Sequence, residues 1–205
     1  MRRAGALLVA LAALALPGGA EANGDPASDV LLTTQVFLPF EAPISDSAAS
    51  DLKQTVAAAN EKGYTIRVAV IAFTGDLGTA VSLWRRPQDY SKFLGSEIAF
   101  VYKNRLLVAM PSGFGFYNGR KPVPKELGVL AKVKPGKTPT PLTESAAEAV
   151  RALAASAGVT VAKPSSGSSP TRDRLILAAA VLAFLLVLFF PTRLLRRRRA
   201  QGAER

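Results

Sequence analysis

Residues 64–73, YTIRVAVIAF, decide the fold of this chain. The stretch is almost continuously apolar and rich in β-branched residues, which favours a strand over a helix. A strand that is apolar on both sides is covered on both faces, as in the centre of an α/β sheet. The sequence therefore predicts a central strand here, with helices packed on either side of it.

A helix is predicted immediately before this strand. Residues 45–47 (SDS) supply capping side chains, and Leu52, Val56 and Ala59 recur at spacings of four and three. The helix should run to about residue 60, and Gly63 should end it, because glycine readily adopts the left-handed conformation found there.

Further elements are predicted on both sides of this pair. A first strand is expected at 30–38, where Leu32, Val36 and Leu38 fall on even positions. After the central strand, the expected elements are a loop at 74–78, a short helix at 80–84 and a longer helix from 87 onward, whose buried face carries Tyr90, Phe93, Leu94 and Ile98.

The second half of the domain is predicted to contain a hairpin and a final helix. Strands at 99–102 and 106–110 should flank a turn at 103–105, and another strand should occupy 113–117 before the turn dipeptide at 118–119. The proline-rich stretch 119–141 reads as a loop. The last helix is expected at 143–157, with a capping box from Ser145 to Glu148. This order predicts an α/β fold, a small α/β sandwich with a mixed sheet flanked by helices.

The N-terminus has the pattern of a secretory signal peptide. Arg2 and Arg3 precede a run of about 13 apolar residues, and an A-x-A site follows at 20–22. The run is short for a membrane span, so we expect a signal peptide at 1–22; an uncleaved anchor is the alternative.

The C-terminal part predicts a membrane anchor. Residues 175–190 are sixteen consecutive apolar residues between basic flanks, and we expect a single transmembrane helix over 174–192. The Ser- and Gly-rich stretch 163–173 reads as a flexible linker. The tail, 193–205, is basic, so the positive-inside rule places it in the cytoplasm. The domain at 23–162 would then be extracytoplasmic, and the chain a single-pass protein of the plasma membrane.

Composition excludes several kinds of partner and catalytic mechanism. The net charge is +11, but eight Arg lie in the last 35 residues, where they indicate topology rather than a nucleic-acid surface. We therefore expect no nucleic-acid partner. The chain has no His and no Cys, which excludes Ser-His-Asp, Cys-His and zinc-hydrolase mechanisms on this chain alone.

The element order, behind a signal peptide and ahead of one anchor, resembles the TPM domain family over residues 28–157. The matching motifs are GYTIRV at 63–68, FTGD at 73–76, KNRLLV at 103–108, GFGF at 113–116 and LTE at 142–144. The family includes thylakoid-lumen repair proteins, a receptor-associated animal protein and bacterial envelope proteins. The chain departs from the family in its long basic loop at 119–141 and in lacking a Trp-Gly motif before the hairpin. The resemblance implies either a role in maintaining other membrane proteins or an acid phosphatase activity that uses aspartates such as Asp76.

Candidate site residues follow from position and charge. Asp76 comes directly after the buried strand, where α/β folds place ligand groups, although a turn-forming role is the alternative. Ser112 and Arg120 are the other candidates for an anion or phosphate site with Asp76. Asp46 and Asp51 could join Asp76 around calcium, which takes oxygen ligands; otherwise no cofactor is expected.

Two basic segments are candidates for contact with anionic lipid or envelope polymer. The loop at 119–141 carries a local excess of positive charge, although a solvated loop is the alternative. The second segment is the juxtamembrane arginine run. The predicted contact residues are Lys121, Lys125, Lys132, Lys134, Lys137, Arg196, Arg197, Arg198 and Arg199.

Three functions remain open on these observations. The first is a non-enzymatic, membrane-tethered module that binds or helps maintain an envelope or membrane protein. The second is a divalent-metal-dependent acid phosphatase, and the third is an electrostatic binder of anionic lipid or envelope polymer.

Overall fold

A computed structural model describes residues 24–163, which fold around one four-stranded sheet. The strand order is β1-β2-β3-β4, with β1, β2 and β3 parallel and β4 antiparallel to β3. The elements in chain order are α1 (Pro26–Thr33), β1 (Val36–Phe37), α2 (Asp46–Glu61), β2 (Ile66–Val70), a 3₁₀ helix (Thr74–Leu83), α3 (Pro87–Glu97), β3 (Arg105–Met110), β4 (Gly113–Asn118), α4 (Pro124–Leu130) and α5 (Pro139–Ser156).

The predicted central strand is confirmed as β2, between β1 and β3. Alternate residues of β2 enter two separate cores. Val68 packs in a core with residues of α2 and α5, such as Val56 and Leu153. Ala69 packs in the other core, against residues of α1 and α3 such as Leu31. The predicted α/β class and mixed sheet are therefore confirmed, with helices on both faces.

The helix before β2 is also confirmed. The Ser45 hydroxyl accepts a hydrogen bond from the Ala48 amide at 3.3 Å and caps α2. Gly63 follows α2 with φ +83°, where a Cβ would be strained. The Asn60 side chain then accepts from the Ile66 amide at 2.6 Å and donates to the Ile66 carbonyl at 3.1 Å. This pair of bonds fixes the end of α2 to the start of β2.

The strand predicted at 30–38 is wrong over most of its length. Asp25 caps α1 and Pro26 occupies its first turn, so the chain is helical to Thr33. Ala27 and Leu31 are buried one helical turn apart, which is the spacing that decides the structure here. Only Val36–Phe37 pairs as a strand.

Of the predicted hairpin at 99–110, the second strand is confirmed as β3, but the first strand and the turn are wrong. Residues 99–102 form turns that close α3, with the Tyr102 amide donating to the Ile98 carbonyl at 2.8 Å. The hairpin instead joins β3 to β4, and Met110 pairs with Gly113 around residues 111–112. The strand expected at 113–117 is confirmed as β4.

Two predicted loops contain helices. The loop at 74–78 belongs to the 3₁₀ helix, and the loop at 119–141 contains α4 and the first turn of α5. Helix α5 begins at Pro139, so the predicted start at residue 143 is late by one turn. Ser145 is not a cap; its hydroxyl donates to the Leu142 carbonyl inside the helix and accepts from the Gly136 amide. Pro124 and Pro139 each lie at the start of a helix, where proline is tolerated.

Among residues 24–163, no helix is both long and apolar enough to cross a membrane. The predicted signal peptide at 1–22, transmembrane helix at 174–192 and basic tail at 193–205 lie outside the described residues, as does the predicted linker beyond Lys163.

Candidate functional site

The carboxyl ends of the three parallel strands lie at one edge of the sheet, here called the carboxyl edge. The segments that follow them are residues 38–44 after β1, residues 71–77 after β2 and the hairpin residues 111–112 after β3. Open α/β sheets bind ligands outside these strand ends. The opposite edge, where β1, β2 and β3 begin, is called the amino edge.

Asp76 lies at the carboxyl edge, but its carboxylate is engaged by the backbone. One carboxylate oxygen accepts hydrogen bonds from the Ala72 and Phe73 amides, each at 2.8 Å. Burial raises the pKa of Asp76, these two amides oppose that shift, and the charge of Glu41 adds to it. The side chain therefore organises the turn after β2, and because β1 and β2 pair in parallel, the loops that follow them leave the sheet side by side.

Two exposed phenylalanines lie in the segments that follow β1 and β2. Phe40 is 74% exposed and Phe73 is 47% exposed, each three residues beyond the end of its strand. The Phe40 ring contacts the buried Phe37 ring edge-on, with centroids 5.7 Å apart. Sequence reasoning missed both: Phe73 falls inside the predicted central strand 64–73, and Phe40, two residues beyond the predicted strand 30–38, has no pattern that marks it as exposed.

Ser112 is exposed at the tip of the β3–β4 hairpin, also at the carboxyl edge. Lys137 reaches the same hairpin, where its ammonium group donates to the Pro111 carbonyl at 2.6 Å. Lys137 therefore belongs to this edge, and not to one continuous basic loop.

Arg120 lies at the amino edge. It follows β4, which runs antiparallel to β3, and the six residues of β4 carry the chain about 20 Å away from Ser112. The arginine adopts φ +67°, directly after Gly119 at φ +56°. The structure thus places Asp76 and Ser112 at one edge and Arg120 at the other.

Asp46 and Asp51 are on α2, and Asp51 already has partners. Arg151 from α5 forms a salt bridge with the Asp51 carboxylate and donates to the Thr55 hydroxyl at 2.8 Å. Within residues 24–163, no group of three or more acidic side chains converges as a metal site would require. The structure therefore does not gather Asp46, Asp51 and Asp76 into one ligand set.

The other predicted lipid-contact lysines are dispersed. Lys125 donates to the Ser156 carbonyl at 3.0 Å, which attaches α4 to the end of α5. Lys132 and Lys134 are exposed between α4 and α5. Lys121 lies beside Arg120 at the amino edge, and the arginine run 196–199 lies outside the described residues.

A cavity of about 310 Å³ lies between α3 and the end of β4. We call it the basic groove, because three of its side chains are cationic: Lys92, Arg120 and Lys121. Its remaining lining is polar or apolar: Gln88, Ser96, Phe116, Tyr117, Asn118 and Val123. Gln88 fixes one wall, since its side-chain amide donates to the Phe116 carbonyl at 3.0 Å and accepts from the Phe116 amide at 2.9 Å.

A second cavity, of about 320 Å³, lies at the start of β2. Its polar walls include Gln35, Thr65 and Asn104, and Arg67 forms part of its floor. The Arg67 guanidinium stacks over the Tyr102 ring at 4.3 Å and donates to the Leu31 carbonyl. Arg67 is thereby committed to the packing of α1 and β2.

No protein-family model matches this chain, and no curated protein matches it at a significant level. Among solved structures, the chain is similar to the solution NMR structure of the N-terminal domain of the cg2496 protein from Corynebacterium glutamicum. The two are 13% identical, with a TM-score of 0.41, over 67% of this chain and 86% of that domain.

Proposed function

We propose that this protein is a non-enzymatic, membrane-tethered extracytoplasmic module that binds an envelope or membrane protein through its carboxyl edge. The observation that carries the proposal is the pair of exposed rings, Phe40 and Phe73, at the ends of two neighbouring parallel strands. Burying an exposed phenylalanine side chain contributes about 1.5–3 kcal/mol to the free energy of binding. Two such rings can therefore form the apolar centre of an interface.

The surroundings of the two rings suit protein binding. Phe40 is supported by Phe37 from below, so little side-chain freedom would be lost on binding. Glu41 and the half-buried Asp76 add negative charge beside the rings. A partner surface with an apolar centre and basic residues around it would complement this edge.

The geometry supports this function better than the phosphatase alternative. Asp76 uses its carboxylate on two backbone amides, and Arg120 is at the opposite edge of the sheet from Ser112. A phosphoryl-transfer site would need these groups, or a metal, within reach of one phosphate. The resemblance to the TPM domain family, the export signal and the anchor stay predictions; with them, the partner would be a protein of the same membrane or envelope.

Site-specific photo-crosslinking in native membranes tests the proposal. A photoreactive phenylalanine analogue replaces Phe40 in the full chain, and the same analogue at Phe100, which is 75% exposed at the amino edge, is the matched control. We expect a discrete crosslinked species from position 40 that is weakened at least fivefold by Phe73→Ser and is absent from position 100. The same species from both positions, or insensitivity to Phe73→Ser in a folded protein, would refute the assignment.

A further inference from the structure

A second surface, at the amino edge, is positively charged, whereas Glu41 and Asp76 make the carboxyl edge acidic beside its exposed rings. The basic groove brings Lys92 from α3 together with Arg120 and Lys121 from the segment after β4. None of these three cations has a salt-bridge partner among residues 24–163. The groove therefore presents uncompensated positive charge around polar donors such as Ser96 and Asn118.

An exposed apolar turn adjoins this groove. Phe100 is 75% exposed and Val101 is 52% exposed. Their turn starts beside Ser96, whose carbonyl accepts from the Ala99 amide at 3.3 Å, and Ser96 lines the groove. It ends at Lys103, whose carbonyl lies so close to Gly119 that a Cβ there would sit 2.6 Å away. Because Gly119 lies between groove residues Asn118 and Arg120, the apolar turn borders the groove at both ends.

The chain also leaves the domain at this edge. Helices α2 and α5 both start at the carboxyl edge, where the Ser45 amide donates to the Thr140 hydroxyl at 3.0 Å. Both end at the amino edge, where the Lys62 ammonium group donates to the Thr160 carbonyl at 2.8 Å. The described residues stop at Lys163. The predicted linker beyond it has about ten residues, a length with a root-mean-square span of about 17 Å.

We propose that the amino edge is a membrane-facing surface, with the basic groove taking the phosphate of an anionic lipid headgroup while Phe100 and Val101 enter the interfacial layer. Exposed aromatic and aliphatic side chains beside cations are the combination that binds the surface of an anionic bilayer. The point where the described chain ends favours the bilayer over a soluble anion, because a linker as short as the predicted one would tether this edge to the predicted anchor; the inference rests on that predicted anchor.

This surface is independent of the proposed partner site. The rings of Phe40 and Phe73 lie at the other edge of the sheet, so a domain resting on its amino edge would turn them away from its own bilayer. Glu97, near the end of α3, is the acidic residue next to the apolar turn, and it is outnumbered by the cations of the groove and Lys103.

Single-cysteine labelling tests the proposal, because the chain has no Cys of its own. The full chain is placed in nanodiscs of phosphatidylcholine alone or with phosphatidylglycerol, and carries an environment-sensitive fluorophore at Val101→Cys. The matched control is Val81→Cys in the 3₁₀ helix, which is 53% exposed against 52% for Val101. We expect a lipid-borne quencher to act at least fivefold more strongly at position 101 than at position 81, and only with phosphatidylglycerol.

Variants that remove positive charge test whether the basic groove is the site that binds anionic lipid. Each surface cation near an anionic bilayer strengthens binding roughly fivefold, so K92Q/R120Q/K121Q should abolish the preference of position 101 for phosphatidylglycerol. K53Q/K132Q/K134Q removes the same charge from exposed lysines outside the groove and should preserve that preference. Circular dichroism confirms that each variant is folded.

Several outcomes would overturn the proposal. They are equal quenching at positions 101 and 81, equal quenching in neutral lipid, and equal effects of the two charge variants. Release of position 101 by millimolar inorganic phosphate would assign the groove to a soluble anion instead. Protection of position 101 from an aqueous quencher without lipid quenching would assign the turn to a protein. Crosslinking from position 40 is measured separately, so failure of one proposal leaves the other standing.

Discussion

The hydroxyl group of Tyr90 donates to the Asp25 carboxylate, with the two carboxylate oxygens 2.7 and 2.8 Å away. Both side chains are buried, Tyr90 completely. Asp25 also caps α1 by accepting from the Ala27 amide at 3.1 Å. One buried carboxylate thus joins the first helix of the domain to α3, and burial raises its pKa to about 6.

The Asp25 carboxyl should make stability depend on pH. Its pKa is about 6 in the folded protein and near 3.8 when unfolded, so the native state binds more protons between these values. The contribution of this group to stability therefore rises as pH falls from about 7 to about 4, by about 3 kcal/mol in total. Urea unfolding at pH 7 and pH 4 measures most of this change, and pH 5 should already show about 1 kcal/mol of it.

Asp25→Asn is the control for that measurement. It keeps a capping side chain and removes the titrating group, so the difference between the two pH values should shrink. Burial also raises the pKa of Asp76, which acts in the same direction and remains in the variant. An unchanged pH dependence in Asp25→Asn would show that Asp25 is not the group responsible.

Removal of the Tyr90 hydroxyl should destabilise the domain. Tyr90→Phe leaves a buried carboxylate without its side-chain donor, at an expected cost of about 1–3 kcal/mol at pH 7. The loss should be smaller in the Asp25→Asn background, where no charge is buried. Chemical unfolding of the four proteins of this double-mutant cycle measures the coupling, and additive losses would contradict a direct Tyr90–Asp25 interaction.

A methyl group at Gly115 should be poorly tolerated. A Cβ there would lie 1.9 Å from the Pro87 carbonyl oxygen, a backbone atom that cannot move without shifting α3. Gly115→Ala should therefore lower the free energy of unfolding by about 2–3 kcal/mol. Gly128→Ala is the matched control, since it is exposed in α4 with open space around its Cβ. The control should stabilise by about 0.5–1 kcal/mol, and thermal unfolding distinguishes the two signs.

The ion pair between Asp51 and Arg151 should contribute modestly. The two side chains are 20% and 17% exposed, so solvent screens part of their attraction. Arg151→Met should cost about 1–2 kcal/mol, because Asp51 keeps only the Thr55 hydroxyl as a partner. Asp51→Leu in the same chain should recover most of the loss. If both single variants match wild type in urea unfolding, the pair makes no net contribution.

Sequence reasoning predicted the centre of the fold better than its periphery. β2 and α2 were predicted because their patterns are long and their boundaries carry capping residues or glycine. The helix at Pro26–Thr33 was missed because three apolar residues on even positions fit a strand as well as a helix. The hairpin was misplaced because the apolar segment at 99–102 suits a strand, while the turn that closes on the Ile98 carbonyl depends on Ile98 being buried, which spacing alone does not show.

The candidate sites show a similar division. Asp76 could be placed after a strand from sequence alone, but its use by the Ala72 and Phe73 amides depends on the path of the loop. Arg120 was grouped with Ser112 because the direction of β4 is not visible in composition or spacing. Phe40 and Phe100 were missed because an apolar residue is exposed or buried according to what packs over it, and that is a tertiary property.

The two hydrogen bonds between the Gln88 side chain and the Phe116 backbone also limit self-association through β4. β4 is an edge strand, and an edge strand normally offers its free amide and carbonyl groups to a strand of another molecule. Here the carboxamide of Gln88 occupies one such pair, and Pro87 packs against Gly115 beside it. The strand at the other side of the sheet, β1, is only two residues long. Few backbone amide and carbonyl groups are therefore free to pair with a strand of a neighbouring copy. This disfavours aggregation by extension of the sheet.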